Sequence, residues 1–303
     1  MSYNKLKKFL NIHSIQFDQD INLIKYNSLK INSISKMFIN VKSIDKLRTL
    51  LSFLNENKIK YFVLGNGSNT LFVDKIIKLV IIKYEPTPKT IINNSFLLVD
   101  SNMKNITLSS YLCKKGFSNL EFLCVIPGSV GGGIVLNASY KKDSFKDNLL
   151  YVEFIDKKGN VKWIDSKNIE FRYRGSSLKD EGVFVTRAIF KLNKNEPKNI
   201  ENKINELIKE KMNCQPLDYP NCGSIFKNGD LKAFEYINGV GLKGFTYKGA
   251  MISNKHSNFI INFNNASGKD VLFIIEKTKE KVYDKYKVNL ILEITLVRSK
   301  RSV

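Results

Sequence analysis

Apolar residues recur at three- and four-residue spacing after Ser43, at Ile44, Leu47, Leu50, Leu51 and Leu54, which predicts a helix with one buried face and a serine N-cap. The unbroken run Tyr61-Phe62-Val63-Leu64 predicts a short buried strand that leads straight into Gly65. Further along, Phe96–Val99 reads as a strand and the stretch around Leu108 to Cys113 as a helix. Tyr151–Ile155 and Val161–Ile164 read as a hairpin turning through Lys157-Lys158-Gly159-Asn160. Val183 to Leu192 predicts another strand. Ile200, Ile204, Leu207 and Ile208 share one face of a helix, and Ser267-Gly268-Lys269-Asp270 forms a capping box before Val271, Ile274, Ile275 and Val282. Asn289–Val297 is expected to close the pattern as a strand. No internal repeat or low-complexity stretch appears, and the mixture of hairpins and helices predicts an α+β fold.

Asn193-Lys194-Asn195-Glu196-Pro197-Lys198-Asn199 is polar, contains a proline and is the best candidate for a domain boundary. A length of 303 residues exceeds the usual single core, and 43% hydrophobic residues can fill two or three compact units. No apolar run approaches the ~18 residues that span a bilayer, and Met1 to Phe17 lacks a signal-peptide core, so a soluble, cytoplasmic protein is expected. Four cysteines without a CxxC pair read as reduced thiols, and two histidines make a metal site implausible. The net charge of +21 raises nucleic acid as a partner. Against this, only six of the 49 basic residues are arginine, and the lysines are scattered through an Asn- and Ile-rich chain rather than gathered into a stripe. Neither nucleic acid nor a membrane is expected as a partner.

Three glycine-bearing loops carry the candidate chemistry. Gly65-Asn66-Gly67-Ser68-Asn69 follows a predicted strand, where backbone amides can converge on an anion without side-chain obstruction. It lacks the third glycine and helix-opening context of a dinucleotide fingerprint, so by itself it reads equally as a tight turn. Ile126-Pro127-Gly128-Ser129-Val130-Gly131-Gly132-Gly133, followed by Asn137-Ala138, is the second loop, and Gly223-Ser224-Ile225-Phe226-Lys227-Asn228 the third. Between them, Phe171-Arg172-Tyr173-Arg174-Gly175-Ser176-Ser177 offers an arginine fork suited to a carboxylate. Arg172, two residues from Arg174, reads as a surface residue paired with a nearby acid. Glu293 stands as the one carboxylate in Asn289–Thr295, and an acid in such a run needs a partner or a purpose.

In this order the segments resemble the flavin-dependent UDP-N-acetylenolpyruvoylglucosamine reductases, from about Ser28 to about Val297. The resemblance implies a FAD-binding fold of the vanillyl-alcohol-oxidase type over 1–192, in two subdomains of about 1–85 and 86–192. It implies a C-terminal α+β substrate domain over 193–303. It further implies non-covalent FAD, since His13 lies far upstream of either loop, with NADPH as co-substrate and a UDP-sugar as substrate. The cofactor would be held by Gly65, Asn66, Gly67, Ser68, Asn69, Pro127, Gly128, Ser129, Gly131, Gly132 and Asn137. By the same resemblance Ser224 is the proton donor, Arg174 and Glu293 are catalytic, and Tyr173, Lys227 and Asn228 bind substrate. His256 falls in a structural segment and is expected to be a hydrogen-bonded packing residue.

The chain departs from the family at several places. Gly229 stands where a proline ends the third motif, Ile291 and Leu292 replace the Glu and Pro before Glu293, and Asn32-Ser33 replaces paired glycines. Fifty residues separate Arg174 from Ser224, an interval resembling the short branch that lacks an inserted loop with a substrate-covering tyrosine. A monomer is expected. Two other readings stay open: a FAD oxidase on the same flavin fold, and a basic binding protein without activity.

Overall fold

The computed structural model describes residues 3–299. The chain divides into two compact units that interleave along the sequence. Unit 1 comprises residues up to Asp18, Phe38–Gly65 and Val80–Lys209. Unit 2 takes Gln19–Met37, Asn66–Leu79 and the residues from Glu210 on.

In unit 1 the Ile44–Glu56 helix forms where its apolar period predicts. Ser43 Oγ accepts the Lys46 amide as N-cap, and Leu47, Leu50, Leu51 and Leu54 are buried. The opposite face is polar for a reason that spacing alone does not disclose. Arg48 Nε, Ser52 Oγ and Asn55 Nδ2 donate to the carbonyls of Gly159, Lys158 and Lys157, at 3.0, 2.9 and 2.8 Å. These donors sit one and two turns apart, so a single helix face satisfies three successive carbonyls of the Asp156–Asn160 turn.

That turn joins Leu149–Ile155 to Val161–Asp165 in an antiparallel sheet whose other strands are Phe184–Lys191, Phe96–Asp100 and Thr90–Asn93. One sheet face buries Leu97, Val99, Val152, Ala188 and Phe190 with Leu108 and Leu112 of the Asn105–Lys114 helix. On this sheet Glu153 is 2% exposed and pairs across the register with Arg187, while Thr186 Oγ1 donates to its carboxylate at 2.7 Å. A charge so buried persists only because both partners and the extra donor are present.

Tyr61–Val63 differs from expectation. It pairs in parallel with Val80–Ile82 but is only half-buried, and Val63 is exposed. An unbroken apolar run does not distinguish a covered strand from a partly open one. The polar stretch after Leu192 is also structured: Asn193–Lys194 pairs with Phe117–Ser118, and the Pro197–Cys214 helix follows.

Unit 2 is built on an antiparallel sheet ordered Asn221–Ser224, Phe259–Asn262, Ala250–Ile252 and Thr246–Tyr247. The Gly268–Tyr286 helix, started by the Ser267/Asp270 capping box, contributes Val271, Ile274, Ile275 and Val282 to the core with Ile225, Phe226, Ile252 and Ile260. Early residues complete that core. Leu29, Ile31, Leu71 and Val73 pack within it, and Thr70–Phe72 pairs in parallel with Thr295–Val297.

The predicted strand Asn289–Val297 is therefore shorter than expected, running only from Thr295 to Val297. Residues before it belong to a different neighbour. Lys227 N donates to Ile291 O and Glu293 N to Ile225 O, both at 2.8 Å, with an isolated bridge between Phe226 and Leu292. A segment that changes partners midway cannot keep one regular ladder. Among the described residues no helix is long and apolar enough to cross a membrane.

Candidate functional site

In unit 1 the start of the first loop meets the second. A Cβ built on Gly65 would stand 3.6 Å from Ser129 Oγ, so no side chain intervenes between them. Ser129 caps the Val130–Val135 helix, its hydroxyl accepting the Gly132 amide at 3.4 Å. The glycines of this loop do unlike jobs. Gly131 N donates to Ser101 O, and a side chain on Gly133 would strike the Phe145 ring, so both are fixed by packing. Gly65 and Gly132 are exposed and a Cβ there would meet only Ser129 Oγ, at 3.6 and 3.5 Å. Protein packing does not demand glycine at these two positions. The bare backbone they present instead suits a close-lying group such as a dinucleotide, so the residues fit the implied FAD. Pro127 is exposed, Gly128 half-buried and Asn137 buried, with Asn137 Nδ2 donating to Arg172 O at 3.4 Å and its Oδ1 accepting the Lys146 amide at 3.2 Å.

Lys83 lies beneath the first loop and was not singled out by the sequence. It is 8% exposed; its Nζ donates to Gly65 O at 3.1 Å and pairs with Glu85 at 3.0 Å. A lone lysine after the apolar run Leu79–Ile82 was the available signal.

Arg174 occupies a tight turn in the same unit. Phe171–Arg172 and Gly175–Ser176 pair as a two-residue hairpin, leaving Tyr173 and Arg174 as its turn. Arg174 takes a φ of +56°, left-handed backbone that a long side chain seldom adopts. Its Nη1 donates to Ser139 Oγ at 2.9 Å and to Ser139 O at 3.3 Å, and the guanidinium lies 5.4 Å from the centre of the exposed Tyr173 ring. Ser176 Oγ fixes the hairpin to the helix behind Ser129 by donating to Val135 O at 2.8 Å. Arg172 turns away and pairs with Asp180, both exposed.

In unit 2 the rest of the first loop, the third loop and Glu293 come together. Gly67, at φ +64°, lies so close to Tyr26 that a Cβ would clash with its carbonyl oxygen, and Gly67 O accepts the Ser28 amide at 3.1 Å. Asn66, Ser68 and Asn69 are half-buried. Asn69 Nδ2 donates to Glu293 O at 3.0 Å, and Asn69 O accepts the Thr295 amide at 2.9 Å. Ser224, half-buried, ends the strand Asn221–Ser224, and the Glu293 amide bonds the next residue, Ile225. The backbone thus sets Glu293 beside the Ser224 loop. Lys227 is half-buried, and exposed Asn228 accepts the Ala233 amide on its Oδ1 at 3.0 Å.

Asn258 is a residue whose part the sequence did not disclose. It is 3% exposed; its Oδ1 accepts the Phe226 amide at 2.9 Å and its Nδ2 donates to Phe226 O at 2.8 Å, so one side chain satisfies both backbone polar groups of a buried residue. His256 supports it, with Nδ1 accepting the Asn258 amide at 3.2 Å and the ring packed on Phe234 and Phe259. Burial lowers the His256 pKa, as suits a packing residue. The thiol of fully buried Cys222, two residues before Ser224, is pushed up to about 12 by the same cause.

Two segments of the chain match known families. Residues 35–165 match the model of the FAD binding domain family. Residues 215–297 match that of the UDP-N-acetylenolpyruvoylglucosamine reductase C-terminal domain. A UDP-N-acetylenolpyruvoylglucosamine reductase of Carboxydothermus hydrogenoformans is 37% identical over 91% of this chain and 92% of its own length. One of Caldanaerobacter subterraneus subsp. tengcongensis is 33% identical over 98% of each. The crystal structure of the Thermus caldophilus enzyme of this name superposes with a TM-score of 0.79 at 27% identity, over 94% of this chain and 99% of that one. The chain belongs to the UDP-N-acetylenolpyruvoylglucosamine reductase family.

Proposed function

We infer that this chain reduces UDP-N-acetylenolpyruvoylglucosamine to UDP-N-acetylmuramate, with FAD as cofactor and NADPH as co-substrate, in the synthesis of peptidoglycan precursor. The observation that carries the assignment of roles is the backbone bond from Glu293 to Ile225, which joins the glutamate's main chain to the loop of the expected proton donor. When bound, FAD supplies hydride transfer from NADPH to the terminal vinyl carbon of the substrate.

The protein's own groups supply the rest. Charge then grows on the carbon beside the substrate carboxylate, and Arg174, permanently cationic, holds that carboxylate through its planar fork. Ser224 Oγ gives its proton to the carbon, and Glu293 stabilises the same enolate-like state through a protonated carboxyl or ordered water. Tyr173, Lys227 and Asn228 bind the substrate, and the exposed backbone at Gly65 and Gly132 would hold the cofactor together with the residues of the first two loops other than Asn69. Residues 1–192 serve the flavin, apart from Tyr173 and Arg174, and 193–303 the sugar nucleotide. The cofactor is held without a covalent bond, the chain works as a monomer in the cytoplasm, and its positive charge recruits anionic small molecules rather than nucleic acid.

The test is Ser224→Ala in anaerobic stopped-flow. Flavin reduction by NADPH should stay near the wild-type rate, while reoxidation by the enolpyruvyl substrate slows ~10²–10⁴-fold, the usual contribution of a positioned general acid. Equal losses in the two half-reactions, or none, would remove Ser224 as the donor. Heat or acid should release yellow FAD from the purified protein, and colour retained by the precipitate would overturn the non-covalent assignment.

A further inference from the structure

Glu293 sits in a gap between two ladders. Regular pairing with Thr70–Phe72 begins only at Thr295, and on the other side Glu293 bonds the Ser224 loop through its amide, at Ile225 O. Its carbonyl therefore has no rung from either strand. Asn69 supplies that rung with its side chain, Nδ2 to Glu293 O at 3.0 Å, and its own carbonyl takes the Thr295 amide at 2.9 Å. Two bonds from one residue thus bracket Ile294 and hold the carbonyl of Glu293, and with the bond to Ile225 both backbone polar groups of the glutamate are engaged. Fixing φ and ψ fixes the base from which the side-chain torsions aim the carboxylate.

The sequence placed Asn69 among residues that hold the cofactor. The geometry points to a different task, and we propose that Asn69 is the positioning residue of Glu293, locking the backbone from which the carboxylate reaches the substrate. The proposal rests on the reading of Glu293 as catalytic. The bare backbone that fits the cofactor is that of Gly65 and Gly132, not the side chain of Asn69. A loop residue donating sideways into the glutamate segment ties the end of a phosphate-type loop to the group that supports proton transfer.

The experiment compares Asn69→Ala, Asn69→Asp, Glu293→Gln and the double variant Asn69→Ala/Glu293→Gln in the full-length chain. Asn69→Asp keeps the size of the side chain while placing an acceptor against the Glu293 carbonyl, so it reports the same loss should the alanine variant fold poorly. FAD affinity is read by quenching of flavin fluorescence on titration with apoprotein, and the two half-reactions by stopped-flow. Either Asn69 variant should leave the FAD dissociation constant within about threefold of wild type and leave flavin reduction unchanged, while slowing reoxidation by the enolpyruvyl substrate about tenfold. Glu293→Gln should slow it about 10²-fold, and the double variant should be no slower than Glu293→Gln alone, because a residue acting only through Glu293 has nothing left to position. FAD binding weakened tenfold or more with both half-reactions slowed alike would make Asn69 a cofactor ligand and overturn the proposal. Losses that multiply in the double variant would overturn it as well. A wild-type protein whose reduced flavin is not reoxidised by the substrate would overturn the functional reading and the proposal with it, whereas failure confined to the variants would overturn the proposal alone.

Discussion

Glu293 and Ser224 in unit 2 lie on segments whose backbones bond to one another and to flanking residues, whereas Arg174 in unit 1 sits at the tip of a hairpin in left-handed backbone. In unit 2 the backbone of Ile225 and Lys227 bonds that of Glu293 and Ile291, and Asn258 closes both polar groups of Phe226. Unit 1 holds its arginine through a φ of +56° and bonds to Ser139. Main-chain pairing fixes position whatever side chain a residue carries, so Ser224 or Glu293 can be replaced without dismantling its surroundings. A strained turn, by contrast, makes the functional residue itself a source of instability.

The largest effect expected from breaking this contrast is at Asn258. Asn258→Ala leaves a buried N–H and a buried C=O of Phe226 without partners and should lower unfolding free energy by about 2–4 kcal/mol, read as a shift in urea midpoint. A change below about 0.5 kcal/mol would mean that the loop is held without it.

Arg174 gives the opposite sign. Arg174→Gly and Arg174→Ala both lose the guanidinium and should both lose substrate reduction. The glycine variant should be the more stable by about 1 kcal/mol, because only glycine occupies that backbone without strain. Equal stabilities would show that the turn relaxes.

Ser139→Ala tests the side-chain tether. The KM for the UDP-sugar should rise about threefold with flavin absorbance and melting temperature unchanged, the modest loss expected when one of two bonds to a charged group is removed. An unchanged KM would show that the backbone carbonyl of Ser139 suffices.

The smallest effect is a pH slope in unit 2. Burial depresses the folded-state pKa of His256 below the usual 6.5, so the unfolded chain takes up a proton at a pH where the folded one does not. This contribution to stability is full above about 6.5 and is lost as the pH falls through the folded pKa. Protonation of Nδ1 would also remove the acceptor for the Asn258 amide. His256→Gln should flatten the dependence of the urea midpoint between about pH 7.5 and 5.5 by roughly 0.5 kcal/mol. An unaltered slope would assign it to other groups.

Helix positions, the capping box and the hairpin were legible because each depends on residues within one or two turns of each other. The glycine loops and Ser224, Arg174 and Glu293 were visible as the motif positions of an expected site. Their surroundings were not. Asn258 and Ser139 resemble any other Asn or Ser until the fold sets them 32 and 35 positions away from the residues they hold. The strand expected over Asn289–Val297 was misjudged because apolar content is the same whether a segment keeps one neighbour or exchanges it midway. Tyr61–Val63 was overestimated in burial because a run of apolar residues says nothing about how much covers it.

Thr70–Phe72 is buried at every residue, and its partner strand Thr295–Val297 lies more than two hundred residues further along the chain. During synthesis at ~5–20 residues per second, Leu71 and Phe72 therefore leave the ribosome many seconds before the strand that shelters them exists. Unit 1 has all of its residues available once Lys209 has emerged, but unit 2 must wait for Val297. Its early pieces need shielding from other chains in the meantime, and a ribosome that stops shortly before Thr295 releases a molecule with a complete first unit and an unfinished second one. Whether unit 2 can be completed is thus decided at the codons just before Val297, that of Glu293 among them.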